Sequence, residues 1–352
     1  MAAPNLDLAS LALPPDSLIL VTGANGFIAS HIVLAALQHG YRVRGTVRAG
    51  SEGKIEGLKK QWEEAYPGKF EVRAVKDLED VDEVKRAMDG VSAVAHTCAL
   101  ASGFPSSLTS AAQTTVSLTL SILRAAAATP SVKRVVLTSS VVAARTPHAD
   151  GIQREVGQES WNDEARERSE KGEKEGDEDF EQKFAVYMAS KAEGEKAAWR
   201  FVREEKPHFD FSSVLPDAVM GRILDPASQA SSAAWIKDLY NGKKDSFFAT
   251  VPGLWYVNVK DIALLHLGAL VLPSAPNTRL FGISGAFNTN TLLSTFRAIS
   301  PGWDKISDVT DGTMGEEKTV WDRSGSERVL KGMGRSGWRE LEETLRENVL
   351  EA

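Results

Sequence analysis

Tyr187 and Lys191 stand four residues apart in Tyr187-Met188-Ala189-Ser190-Lys191, a spacing that puts a phenol and an ammonium on one face of a helix. An adjacent cation favours phenolate and would lower the tyrosine pKa, making Tyr187 a general acid or base near neutral pH. A surface helix acquires such a pair by chance often enough that it needs company. Thr138-Ser139-Ser140 supplies some, because it follows the apolar run Val135–Leu137. A hydroxyl at the carboxyl end of a strand can hydrogen-bond a carbonyl oxygen, or it can simply form a turn. The third signal is Gly23-Ala24-Asn25-Gly26-Phe27-Ile28-Ala29. A pyrophosphate needs backbone N–H donors at close range and the positive end of a helix, with no side chain in the way. Gly23 permits the tight turn, Gly26 the approach, and the small Ala29 close packing of helix on strand; Asn25, Phe27 and Ile28 complete the loop.

The end of the second strand selects the nicotinamide cofactor. An NAD site usually has an acid there for the ribose hydroxyls, whereas this run ends Thr46-Val47-Arg48 with no acid until Glu52. Arg48 would meet the 2′-phosphate of NADP and could stack on adenine, with Lys54 as a second cation; otherwise both are ordinary surface charges. Asp77-Leu78, after the third strand, is placed to touch adenine, or else to cap a turn and fill the core.

These groups need a scaffold that brings strand ends together, and the patterning provides one. Strands are expected at Ser17–Thr22, Tyr41–Arg48, Phe70–Val75, Val91–Thr97 and Val135–Thr138, alternating with helices at Phe27–Leu37, Lys54–Ala65, Val81–Met88 and Ser110–Ala128. That alternation implies an α/β fold, a Rossmann-like doubly wound parallel sheet. A further helix is expected from Phe184 to Glu205. Residues 1–215, with 255–272 returning, would form the dinucleotide-binding unit; 216–254 and 273–352 would form a smaller, discontinuous C-terminal substrate portion. Between Asp163 and Asp179, 13 of 17 residues are charged, nine acidic and four basic, which reads as a solvated loop or surface helix.

Composition narrows the function. The 352 residues carry 41 basic and 48 acidic side chains, a net charge of −7, so no basic footprint for nucleic acid exists. One cysteine, Cys98, excludes an internal disulfide framework and fits a reducing, cytoplasmic compartment. Six scattered histidines without metal-ligand spacing give no metal site. No apolar run is long enough to span a bilayer. His96 reads as a satisfied interior histidine, and Cys98 lacks a partner base. Trp161, Trp235, Phe247, Phe248 and Trp255 could line an apolar pocket, though each is more often core.

The chain resembles an extended short-chain dehydrogenase/reductase, in the branch of dihydroflavonol 4-reductases and fungal NADPH-dependent aldehyde and carbonyl reductases. The resemblance spans roughly Pro14 to Leu345. It is carried by Val21–His31, Val43-Arg44-Gly45-Thr46, Ala125–Arg134, Val136–Ser140, the Tyr187–Lys191 motif, Leu264-Leu265-His266-Leu267-Gly268 and Gly334–Arg339. It implies that Ser140 orients the substrate carbonyl, Tyr187 donates the proton, and Lys191 holds the nicotinamide ribose and lowers the Tyr187 pKa. It also implies that Pro216 and Val219, in Leu215–Gly221, lie beside the carboxamide, and that Thr97 follows the cofactor. Where relatives often read Gly-Thr-Leu-Asn, this chain has Leu118-Thr119-Leu120-Ser121. The expected activity is NADPH-dependent reduction of aldehydes and ketones, β-keto esters included, by a monomer or homodimer with a small carbonyl substrate as its partner. The rival readings are an NAD-dependent nucleotide-sugar epimerase or dehydratase and a non-catalytic NADP sensor.

Overall fold

The structure is a computed structural model that describes residues 11–98, 107–148, 150–175, 179–225, 231–243, 253–275, 277–310 and 317–351. Its centre is a seven-stranded, fully parallel sheet. The strands are β1 (Leu18–Val21), β2 (Arg42–Arg48), β3 (Phe70–Val75), β4 (Ala93–His96), β5 (Arg134–Thr138), β7 (Asp210–Pro216) and β10 (Arg279–Gly282), in the order β10-β7-β5-β4-β1-β2-β3. The chain leaves β1 towards β3 and returns to the other side with β4. The crevice between the ends of β1 and β4 is therefore the switch point, where open sheets bind ligands.

Both sheet faces are covered, which is why the strands read as continuous apolar runs. Ile19 and Val21 point into one core with α1 (Phe27–Gln38), α2 (Glu56–Ala65) and α8 (Val259–Val271). Leu18 and Leu20 point into the other with α3 (Val81–Ala87), α4 (Leu108–Ala127) and α6 (Phe180–Glu205). A second core joins β8 (Ala218–Met220), β9 (Leu254–Asn258) and β11 (Gly285–Phe287) to α7 (Ser231–Tyr240), α9 (Thr289–Ile299) and α11 (Leu341–Val349). β10 falls within the range 273–352 yet pairs with β7 in the large sheet, so the substrate portion as drawn from sequence begins one strand too early. The backbone of β10 adds to the open edge of β7, a pairing no local pattern reveals.

Of the two readings left open for the acidic run, the surface helix is the one found, and the helix expected from Phe184 starts earlier. The acidic run forms α5 (Asp163–Glu175), because Asn162 Oδ1 accepts from Ala165 N–H at 3.0 Å and because one edge, Ala165, Ser169 and Gly172, is buried. Arg166–Glu170, Arg166–Glu193 and Lys196–Asp163 pairs lace its outer face. α6 begins at Phe180, a turn before Phe184. Asp179 caps it by accepting from Gln182 N–H at 2.8 Å, and Phe180 stacks on Phe184 at 5.9 Å.

Candidate functional site

The glycine turn sits at the switch point. Gly23 has φ +66°, in the left-handed region that favours glycine, and a Cβ there would lie 2.6 Å from Cys98 Sγ. Gly26 is the N-cap of α1 and offers no side chain to the helix N–H groups; no acid occupies the first turn. Those orphan donors and the positive end of the dipole suit an anion. Thr46 holds the turn from β2, its hydroxyl accepting from Gly23 N–H at 3.2 Å and its carbonyl from Ala24 N–H at 2.9 Å. At Gly45 a Cβ would meet Ala24 Cβ at 2.6 Å, so β2 can approach the turn only as glycine. The side chains of Phe27 and Ile28 pack into the core, leaving their backbone to the loop. Asn25 belongs to the same turn.

Thr22 ties this loop to β4. Its hydroxyl accepts from Thr97 N–H at 3.0 Å and Cys98 N–H at 3.2 Å, and contacts His96 Nδ1 at 3.0 Å. With two N–H bonds accepted, its one proton goes to Nδ1. Burial pushes the His96 pKa down to about 3, so the ring is neutral; it is the satisfied interior histidine expected. Thr97 returns a hydroxyl bond to the Thr22 carbonyl. Burial also pushes the Cys98 thiol up, which makes it inert rather than nucleophilic.

Arg48, the last residue of β2, and Lys54 beyond it are exposed, and Arg48 pairs with no carboxylate among the described residues. Its charge reaches Cys98, which lies against Gly23. Asp77 Oδ1 accepts from Glu79 N–H at 2.8 Å, and Leu78 packs on the core while its carbonyl accepts from Ser121. Both therefore have the structural duties that the sequence left open. Leu118 and Ser121 stand at the positions that depart from the resembled pattern, and Leu118 and Thr119 line a cavity of about 20 Å³ with Thr138 and Lys191.

The catalytic edge is built from side chains. Ser140 follows β5 as the N-cap of a 3-10 turn, its hydroxyl accepting from Val142 N–H at 3.4 Å and donating to the Pro216 carbonyl at 3.3 Å. It also stands close enough to the Tyr187 phenol to lower its pKa. Lys191, one turn along α6, has Nζ 6.0 Å from the Tyr187 ring centroid. Pro216 thus touches the serine, and Val219, on β8, pairs with Val257 in the neighbouring sheet. The expected lowering of the Tyr187 pKa is not what the environment produces. Burial pushes it up to about 12, the Ser140 hydroxyl pulls against that, and the negative charge of Asp217 adds to the rise. Burial likewise lowers Lys191 to about 8, with Glu195 opposing. Desolvation outweighs the cation because Lys191 is itself buried and stands several ångströms away.

Of the aromatic candidates, Trp255 joins Tyr187 and Trp321 in the apolar cluster beside the site. Trp161 instead stacks under Arg279, 4.1 Å from the guanidinium carbon to the ring centroid. Trp235 packs on the second core; Phe247 and Phe248 lie outside the described residues. Sequence reasoning missed Thr46 and His266. The latter donates from Nδ1 to the Ile262 carbonyl at 2.8 Å and accepts at Nε2 from Thr138, 2.7 Å away. The string holding His266 was visible, but its partner across the sheet was not. No group of acids, histidines or cysteine that could hold a metal occurs among the described residues, and no described helix is long and apolar enough to cross a membrane.

A glycine turn at the switch point of a parallel sheet, with a Ser–Tyr–Lys edge across the same crevice, defines a dinucleotide-binding protein of Rossmann type. The chain belongs to the NAD dependent epimerase/dehydratase family, whose model matches residues 19–279, within the extended short-chain dehydrogenases/reductases that the motifs resemble. It is 42% identical to Aldehyde reductase 2 of Sporidiobolus salmonicolor, over 96% of each chain. It is 36% identical to Ketoreductase adrE of Penicillium rubens, over 95% of this chain and 96% of the other. The crystal structure of yeast methylglyoxal/isovaleraldehyde reductase Gre2 with NADPH superposes with TM-score 0.75 at 24% identity, over 94% of this chain and 96% of that one, and shares the fold.

Proposed function

We propose that this protein reduces aldehydes and ketones, β-keto esters among them, to alcohols with NADPH. The observation that carries the reading is the Tyr187–Lys191 pair on one face of α6, with Nζ 6.0 Å from the ring, and Ser140 beside the phenol at the carboxyl edge of the sheet, across the switch-point crevice from the Gly23 turn. Two relatives, an aldehyde reductase at 42% identity and a ketoreductase at 36%, support it. An epimerase or NAD enzyme would favour an acid after β2, where this chain has Arg48.

The α1 N-terminus and Gly23 turn would hold the pyrophosphate, Arg48 and Lys54 the 2′-phosphate, Asp77, Leu78 and Thr97 the adenosine side, and Lys191, Pro216 and Val219 the nicotinamide end. When bound, NADPH supplies the hydride. Ser140 orients the substrate carbonyl, and Tyr187 gives its phenolic proton to the oxygen as negative charge develops there. A phenol pushed up to about 12 stays loaded with its proton at neutral pH, as reduction requires, and the cationic Lys191 eases its release. A mixed panel of aromatic aldehydes, a β-keto ester, methylglyoxal and a dihydroflavonol, followed by loss of reduced-nicotinamide absorbance with NADPH and NADH in parallel, tests this. NADPH-selective turnover of at least one member is expected; tight NADPH binding with no turnover of any would favour the sensor instead.

A further inference from the structure

Beneath the Ser–Tyr–Lys edge lies a buried ion pair that neither the nucleotide turn nor the reacting groups require. Glu195 is on α6, one turn beyond Lys191, and its side chain is fully enclosed. Its Oε1 accepts from Arg279 Nε at 2.9 Å, Ser213 Oγ at 2.6 Å and Trp199 Nε1 at 3.3 Å. Its Oε2 accepts from Ser139 Oγ at 2.7 Å and Arg279 Nη2 at 3.2 Å. Apart from Trp199, on α6 itself, the donors come from three adjacent strands: Arg279 on β10, Ser213 on β7, and Ser139 just after β5. Arg279 in turn donates through Nη1 to the carbonyls of Gln158 and Ser160, and stacks on Trp161.

Burying a charged pair is weak support for stability, because desolvation offsets most of the attraction. Five hydrogen bonds to one carboxylate do something more directional: they allow one arrangement of the helix against the strand ends. The bond from Ser139 matters most, since the next residue is Ser140. We propose that Glu195 is a positioning residue for the reduction, holding through Ser139 the backbone that carries Ser140 against the helix that carries Tyr187 and Lys191. The proposal rests on the reading of Ser140 and Tyr187 given above. A displacement of about 1 Å between such groups can cost on the order of 100-fold in rate, so a slackened anchor should be visible in turnover.

Two serines on the same carboxylate separate positioning from mere packing. Ser139→Ala and Ser213→Ala each remove one buried hydroxyl bond to Glu195, so comparable falls in melting temperature are expected. Ser139→Ala should lower kcat about tenfold, a fraction of the loss possible from misplacement, with the KM for the carbonyl and NADPH affinity little changed. Ser213→Ala should leave kcat within about twofold, because Ser213 lies inside β7 and away from the reacting atoms. Glu195→Gln should lower kcat more than Ser139→Ala; should that variant not fold, the serine pair decides. Equal kcat for both serine variants, or an undiminished kcat in Ser139→Ala, would overturn the proposal. Those outcomes are distinct from failure of the site itself, which would show as full activity in Tyr187→Phe.

Discussion

The nucleotide turn and the catalytic edge face one crevice but are made from different materials. At the turn the working groups are backbone: N–H donors of α1, a glycine at φ +66°, and a second glycine on β2 that lets a strand approach. The side chains around it, Thr22, Thr46 and the neutral His96, only hold the loop. At the edge the working groups are side chains on two separate elements, and their relation depends on an enclosed carboxylate and on His266 bracing Thr138. A backbone site is written in a few consecutive residues. A side-chain site is written across the whole sheet, and it is correspondingly open to damage from afar.

That difference can be broken or sharpened by substitution. The largest effect on cofactor binding should come from Arg48→Glu, which replaces a cation for the 2′-phosphate by a like charge. Removing a charge-assisted bond worth ~1.5–3 kcal/mol and adding repulsion should weaken NADPH about 100-fold, with NADH affinity within a few-fold, as read by cofactor fluorescence titration. Equal losses for both cofactors would remove Arg48 from the site. Gly23→Ala should follow, because an L-residue at that φ carries about 1–2 kcal/mol of strain and its Cβ meets Cys98. Binding of either cofactor should fall roughly tenfold, while Tyr187→Phe at the catalytic edge leaves binding within about twofold.

The smallest effect is a matter of pH. In the proposed mechanism Lys191 must be protonated to ease proton release from Tyr187, and burial lowers it to about 8. Its charge is therefore full below that pH and lost above it. The kcat/KM for the carbonyl should be level from neutrality to the mid-sevens, be halved near pH 8, and fall further with each unit. A profile flat to the ordinary lysine range would show that the charge of Lys191 is not used.

What could be read from sequence follows the same division. β3 was expected at Phe70–Val75 and is found there, and the Gly23 turn and the Tyr187–Lys191 spacing were legible because each is local. Glu195–Arg279, 84 residues apart, and Thr138–His266, 128 apart, were not, since strand order has to be known before such partners can meet. Glu195 did carry a signal: it lies one turn from Lys191 among alanines and a glycine, on a face that must be buried. The direction of the Tyr187 shift was misjudged for a related reason. Spacing reports that a lysine is near, but only the surrounding core reports how much water both groups lose. For the acidic run the sequence leaves loop and surface helix both open, because the thin buried edge of Ala165, Ser169 and Gly172 that makes it α5 is swamped in composition by charge.

The most direct test of the central claim is single-turnover reduction of an aromatic aldehyde by Tyr187→Phe with NADPH prebound. Phenylalanine keeps the ring and its packing beside Phe184 and removes only the proton donor. The rate of hydride transfer should fall at least ~100-fold, the usual loss for one general acid, with NADPH affinity within about twofold of the parent. A variant that reduces the aldehyde at the parent rate would mean that Tyr187 is not the acid and that the proton comes from elsewhere.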